Sequence, residues 1–165
     1  MKAEQILLGK RVLIVDDEKD ILELLVSLLE VCKIDAASSF EEAKLLLETH
    51  HYDIAILDIM GVNGFELLKI ANSRKIPALM LTARALNVES LEKSVQDGAY
   101  YFVPKDEISR IGTYVADVLE SIEKNQNPWI RWLKRLGGTF DVIFTGPAWR
   151  EKRRDLMEKL NKTGW

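Results

Sequence analysis

Five polar side chains stand in matching places along this chain. Asp16 and Asp17 follow Val12-Leu13-Ile14-Val15, and Asp58 closes Ile54-Ala55-Ile56-Leu57. Thr82 closes Ala78-Leu79-Met80-Leu81, and Lys105 follows Tyr101-Phe102-Val103-Pro104. A short apolar run bounded by turn residues reads as a buried strand. A polar residue at its C-terminal end lies at the rim of the sheet, where open α/β folds place their ligands. Three carboxylates gathered there repel one another unless a cation shares them. Oxygen-only ligands favour Mg²⁺. The Lys105 ammonium and the Thr82 hydroxyl complete a set able to hold the oxygens of a phosphoryl group as it moves. Asp58 is then either a metal ligand only, or a ligand and the nucleophile.

Each residue also has a plainer reading. Asp16-Asp17 suits a helix N-terminus, Asp58 a turn, Thr82 a strand-end hydroxyl and Lys105 a solvated charge. Taken together those readings need repeated coincidence at one rim, so the phosphoryl site is the better account. His50 and His51 read as solvated surface, and no His or Cys cluster points to a transition metal.

The elements that must position these residues alternate. Strands are expected at 12–15, 34–37, 54–58, 78–82 and 100–103. The first helix, from about Asp20 to Cys32, has Ile21, Leu24, Leu25, Leu28 and Cys32 at helical spacing. Ser39 with Glu42 forms a capping-box signature for a helix to Thr49. A third helix spans Phe65 to about Ser73. Asn87 is placed to cap a fourth, with Val88, Leu91 and Val95 on one face and Gly98 after it. Asp106 is placed to cap a fifth, with Ile108, Ile111, Val115, Val118, Leu119 and Ile122 as its buried stripe. Such alternation argues for an α/β fold: a parallel, doubly wound sheet with helices on both faces.

Length and composition agree with a globular domain plus an extension. The chain has 165 residues, 47% apolar and 30% charged. Cys32 is the single cysteine, so no internal disulfide can form. Ile6-Leu7-Leu8 is too short for the apolar core of a secretion signal. No stretch approaches the ~20 apolar residues of a membrane span, and the expectation is a cytoplasmic protein. Charge is uneven: residues 124–165 carry ten basic and four acidic side chains, the rest 13 and 22. The main domain is expected over 10–123, a linker over 124–128 around Asn125-Gln126-Asn127-Pro128, and a basic, Trp-containing extension over 129–165.

In that extension Trp129, Trp132, Leu133 and Leu136 share one helical face, with Gly137-Gly138 expected to end the helix. Thr139 to Phe144 has strand character, cut off by Gly146-Pro147. Ala148 to Lys162 reads as a second helix, basic at Arg150, Lys152, Arg153 and Arg154, with Leu156, Met157 and Leu160 apolar. These helices are expected to pack back on the acidic domain or to bury their tryptophans in a homodimer. The sharper alternatives are an anionic membrane surface or nucleic acid. About forty residues is short for a DNA-binding output domain, which makes nucleic acid the weaker choice.

Other phosphate chemistries fit less well. No glycine-rich loop ends in Gly-Lys-Ser/Thr. The chain does resemble the receiver domain of two-component response regulators (CheY-like). The resemblance rests on Leu13-Ile14-Val15-Asp16-Asp17-Glu18, Tyr52-Asp53-Ile54-Ala55-Ile56-Leu57-Asp58-Ile59-Met60, Gly64-Phe65-Glu66-Leu67, Leu81-Thr82-Ala83, and Gly98-Ala99 followed by Phe102 and Lys105. It covers residues 10–123. Aspartyl-phosphate hydrolases of the haloacid dehalogenase type are less similar, since they have a second Asp where this chain has Met60.

The resemblance implies a five-stranded, flavodoxin-like sheet in the order 2-1-3-4-5, with a mainly helical C-terminal extension. It implies that Asp58 takes a phosphoryl group from the phosphohistidine of a sensor histidine kinase or phosphotransfer protein. Asp16 and Asp17 would hold Mg²⁺, with Asp58 and the Met60 backbone carbonyl. Thr82 and Lys105 would bind the phosphoryl oxygens, beside a small Ala83. Phe102 would be an aromatic switch that turns inward when Thr82 moves. No enzyme activity beyond self-phosphorylation and self-dephosphorylation is implied, and the output would be a contact with another protein. The alternatives are a receiver-like module that never accepts phosphate and, more remotely, a DNA-binding regulator.

The chain departs from the family pattern in three places. Only Ile59 to Asn63 separate Asp58 from Gly64, and none is proline; Asp106, not proline, follows Lys105. Met60 and Arg84 occupy positions that in the family tune how long the phosphoryl group survives.

Overall fold

The computed structural model describes residues 2–83, 88–143 and 147–162. Arg84, Asn87, Phe144 and Gly146 lie outside them, as do the side chains of Leu156 and Leu160. A short helix α1 (Ala3–Leu7) precedes five β-α units. The strands are β1 (Arg11–Val15), β2 (Lys33–Ala37), β3 (Ile54–Asp58), β4 (Ala78–Thr82) and β5 (Tyr101–Pro104). They form one parallel sheet in the order β2-β1-β3-β4-β5. The expected flavodoxin-like topology is thus the one observed. Every residue of β3 and β4 is buried, because helices cover both faces and neither strand has a free edge.

The helices are α2 (Lys19–Leu28), α3 (Phe40–Thr49), α4 (Gly64–Ser73), α5 (Val88–Gln96) and α6 (Ile111–Glu123). At the start of α3 the Glu42 amide donates to Ser39 Oγ at 3.2 Å, as the capping signature requires. Two expectations need correction. α2 stops at Leu28 rather than running to Cys32, and Leu24 and Leu28 stay partly exposed. Cys32 lies in the following turn, where its thiol donates to the Leu7 carbonyl at 3.4 Å. The N-terminal helix α1 fills the place by packing on α6; at five residues it is too short to show a periodic pattern. Asp106 caps no α-helix. Lys105–Arg110 forms a 3₁₀ turn first, and α6 begins at Ile111. Within the expected stripe Ile108, Ile111, Val115 and Val118 are buried, whereas Ile122 is exposed.

Residues beyond α6 form α7 (Pro128–Ile143) and α8 (Pro147–Lys162). Pro128 takes the first helical position, and Asn127 Oδ1 accepts from the Trp129 amide at 2.9 Å. Helix α7 runs straight through Gly137-Gly138, against the expected stop and the strand after it. Each glycine disfavours a helix by about 1 kcal/mol. Burying Phe140, one turn beyond Leu136 on the same face, outweighs that cost. Trp129, Trp132 and Leu136 are buried with it. The extension therefore packs on the main domain. Oppositely charged pairs complete the docking: Arg131 with Glu120 at 2.7 Å, and Lys152 of α8 with Glu92 of α5 at 3.1 Å. Among the described residues no helix is long and apolar enough to cross a membrane.

Candidate functional site

Parallel pairing brings the rim residues together. Val15 is in register with Leu57, so Asp16 and Asp58 are next to each other at the ends of adjacent strands. The Asp16 amide donates to the Ala37 carbonyl at 3.1 Å, which extends the sheet geometry by one residue. Asp16 is 0% exposed and Asp58 3%. Asp16 Oδ1 accepts from the Glu18 amide at 2.9 Å, and Asp58 Oδ2 from the Gly61 amide at 3.2 Å.

Lys105 reaches across the rim from β5. Its Nζ is 2.8 Å from Asp16 Oδ2, 3.1 Å from Glu18 Oε1 and 3.4 Å from Asp58 Oδ1. Burial pushes the Asp16 carboxyl above its ordinary value, despite Lys105 and the Glu18 amide. Burial also pushes Asp58 up, and the neighbouring Asp16 charge adds to it. Burial works against the Lys105 cation too, yet Asp16, Asp58 and Glu18 together carry its pKa up to about 12. Among the described residues one ammonium thus serves two buried carboxylates.

Thr82 ends β4, buried, and its hydroxyl donates to the Ala83 carbonyl over a long 3.4 Å. Asp17 is exposed and lies against Gly61: a Cβ built on that glycine would overlap the Asp17 carboxylate. A Cβ on Gly64 would overlap the Asp58 carbonyl, so the short loop folds back closely on the strand it leaves. Asn63 takes a left-handed conformation at φ 55° to make that turn. The side chain of Met60 is 77% exposed, within this loop. Phe102 is fully buried, with its ring 5.7 Å from Phe140.

The residues fit a hard divalent cation. Asp16 Oδ2 is buried and has no hydrogen-bond donor of good angle, only the Lys105 ion pair. Asp16, Asp17 and Glu18 each offer a carboxylate oxygen, all within 4.8 Å of one another. Oxygen donors with solvent access on one side suit Mg²⁺. Glu18 is the member that strand-end reasoning misses. It lies outside the apolar-run pattern, and its only signal is adjacency to two other acids.

The family model for the response regulator receiver domain matches residues 12–115. The heme response regulator HssR of Staphylococcus aureus strain Newman is 36% identical over 121 residues, which is 70% of this chain and 54% of that protein. The chain thus spans about half the length of the curated relatives it matches. A receiver domain protein (CheY-like) from Methanospirillum hungatei JF-1 superposes with TM-score 0.65 at 26% identity, covering 71% of this chain and 98% of that one. The receiver domain of the Francisella response regulator 1452 gives TM-score 0.62 at 25% identity, with 69% and 99% covered. A family match that begins inside β1 and runs into α6, over a sheet of the strand order the rim residues require, means that this chain belongs to the response regulator receiver domains of two-component signalling.

Proposed function

We propose that Asp58 accepts a phosphoryl group from the phosphohistidine of a sensor histidine kinase or phosphotransfer protein, and that the change is passed on through a protein contact. The observation that carries this reading is the sharing of one ammonium by two buried carboxylates at the sheet rim. A carboxylate oxygen of Asp58 attacks phosphorus. The bond from phosphorus to the donor nitrogen breaks, its electron pair stays on the imidazole, and an acyl phosphate forms. Lys105, already 3.4 Å from Asp58 Oδ1, holds a phosphoryl oxygen, and the weakly bonded Thr82 hydroxyl donates to another. Asp16 and Asp17, with Asp58 and the Met60 carbonyl, would hold Mg²⁺. When bound, the ion neutralises charge building up on the phosphoryl oxygens. The chain acts on itself and turns over no separate substrate.

Intact mass measurement with acetyl phosphate and Mg²⁺ tests this directly. The wild type gains one phosphoryl group and Asp58→Asn none; equal behaviour of the two proteins would overturn the reading.

Two further outcomes belong here. Gly61→Ala pushes the Asp17 carboxylate aside, and Mg²⁺ affinity, followed by titration calorimetry, falls about tenfold, as when a supporting residue of a metal site is lost. In metal-free protein the raised Asp16 and Asp58 carboxyls hold protons that the unfolded chain releases. At these two sites the folded state binds more protons than the unfolded one, so the contribution of this pair to stability rises as pH falls from neutral toward the ordinary carboxylate value of 3.8. Asp58→Asn removes part of that slope, and thermal melts in chelator across this range measure the difference.

A further inference from the structure

The C-terminal helices are bonded to the strand that leads into the site lysine. β5 is the outermost strand, so one of its edges has no neighbouring strand. Two indoles of α7 bond the backbone of this strand and of the residues leading into it. Trp129 Nε1 donates to the Ala99 carbonyl at 3.1 Å, and Trp132 Nε1 to the Phe102 carbonyl at 2.7 Å. The Phe140 ring lies against both Phe102 and Trp132. On α6, Asp117 is only 3% exposed; Arg135 donates to its two oxygens at 2.6 and 3.2 Å, and the Tyr101 hydroxyl donates at 2.8 Å. A buried carboxylate stripped of such a partner is costly. Helix α7 therefore belongs to the polar pairing of β5 and α6 and is not laid loosely over them.

Only Val103 and Pro104 separate the anchored Phe102 carbonyl from Lys105. At strand spacing that is about 10 Å. Pro104 is in register with Thr82, so the same short segment joins β5 to the site end of β4. The Phe102 anchor of α7 lies in a fully buried strand, and the cation of the site is the residue that directly follows that strand. Close-packed interiors transmit such shifts and do not absorb them.

We propose that α7 is a ligand in cis of the α5–β5–α6 face, and that its docking is thermodynamically linked to the phosphoryl state of Asp58, the docked form being the one that accepts and keeps the phosphoryl group. This rests on the reading of Asp58 as acceptor. The sign comes from the site itself. With α7 docked, Lys105 Nζ is held 3.4 Å from Asp58 Oδ1, where a phosphoryl oxygen needs it. An unanchored β5 holds that cation less well. Linkage is reciprocal, so phosphorylation in turn tightens α7.

The test uses the full chain with acetyl phosphate and Mg²⁺. Intact mass gives the phosphorylated fraction, and hydrogen exchange is followed in residues 128–143 relative to α3. Exchange in α7 is expected to slow about fivefold or more, the low end of measured site-to-site couplings. Asp58→Asn shows no slowing. Trp132→Phe keeps a ring but loses the indole N–H, and takes up less phosphoryl at a given donor concentration. A phosphorylated wild type whose α7 exchanges at an unchanged or faster rate overturns the linkage, as does a Trp132→Phe chain phosphorylated as readily as the wild type. Both results leave Asp58 as acceptor. A chain that gains no phosphoryl group overturns the acceptor reading itself. The wild-type arm depends on no variant folding.

Discussion

Lys105→Met will slow phosphoryl uptake from a small donor by about 100- to 1,000-fold, the usual effect of deleting one well-placed electrostatic donor. Methionine keeps most of the length and apolar stem, so the fold loses little packing. The charge is what goes. Lys105 is the cation within 4.0 Å of both Asp16 and Asp58, and its removal acts twice. The phosphoryl oxygens lose a partner, and the two acids lose the charge that opposes their burial. Asp58 then spends more of its time protonated, a form that cannot attack phosphorus. Raising the pH should therefore recover part of the Lys105→Met rate, whereas it does little for the wild type. A time course of intact mass at two pH values reads both effects. A Lys105→Met rate within a few-fold of the wild type would show that the lysine has no part in the transfer.

Trp129→Ala should be the most destabilising single change in the C-terminal helices, at about 3–5 kcal/mol. Trp129 is among the largest fully buried side chains. Its ring meets Trp132 edge-on at 5.3 Å, and its N–H donates to the Ala99 carbonyl just before β5. Alanine leaves a cavity and an unpaired backbone acceptor together. For a chain of this size the melting temperature should fall by about 6–20 °C. A loss below about 1 kcal/mol would mean that α7 does not complete the domain. Chemical denaturation of the two proteins distinguishes these cases.

The rim was legible in the sequence because parallel, doubly covered strands are written as apolar runs, and the polar residue that ends each run marks the same side of the sheet. Asp16, Asp58 and Lys105 are brought together as that rule requires, and the strand order is the one the family resemblance implies. What stayed hidden depends on contacts between distant segments. Gly137-Gly138 signals a stop by local propensity, yet Phe140 finds Phe102 and Trp132 and the helix continues. Asp106 has a capping side chain, but the backbone turns through a 3₁₀ segment before α6. Asp117 reads as an ordinary helix-surface acid until Tyr101 and Arg135 close on it. Glu18 clusters with Asp16 and Asp17 and meets Lys105, 87 positions away, at 3.1 Å. The basic C-terminal helices meet the acidic domain through Arg131 with Glu120 and Lys152 with Glu92.

The central claim is that one carboxylate, Asp58, carries the phosphoryl group. Borohydride reduces an aspartyl phosphate to homoserine and leaves free carboxylates unchanged, so peptide mapping after treatment with acetyl phosphate and Mg²⁺ locates the acceptor. Homoserine is expected at position 58, with aspartate retained at 16 and 17. Homoserine at either of those positions, or at none, would contradict it.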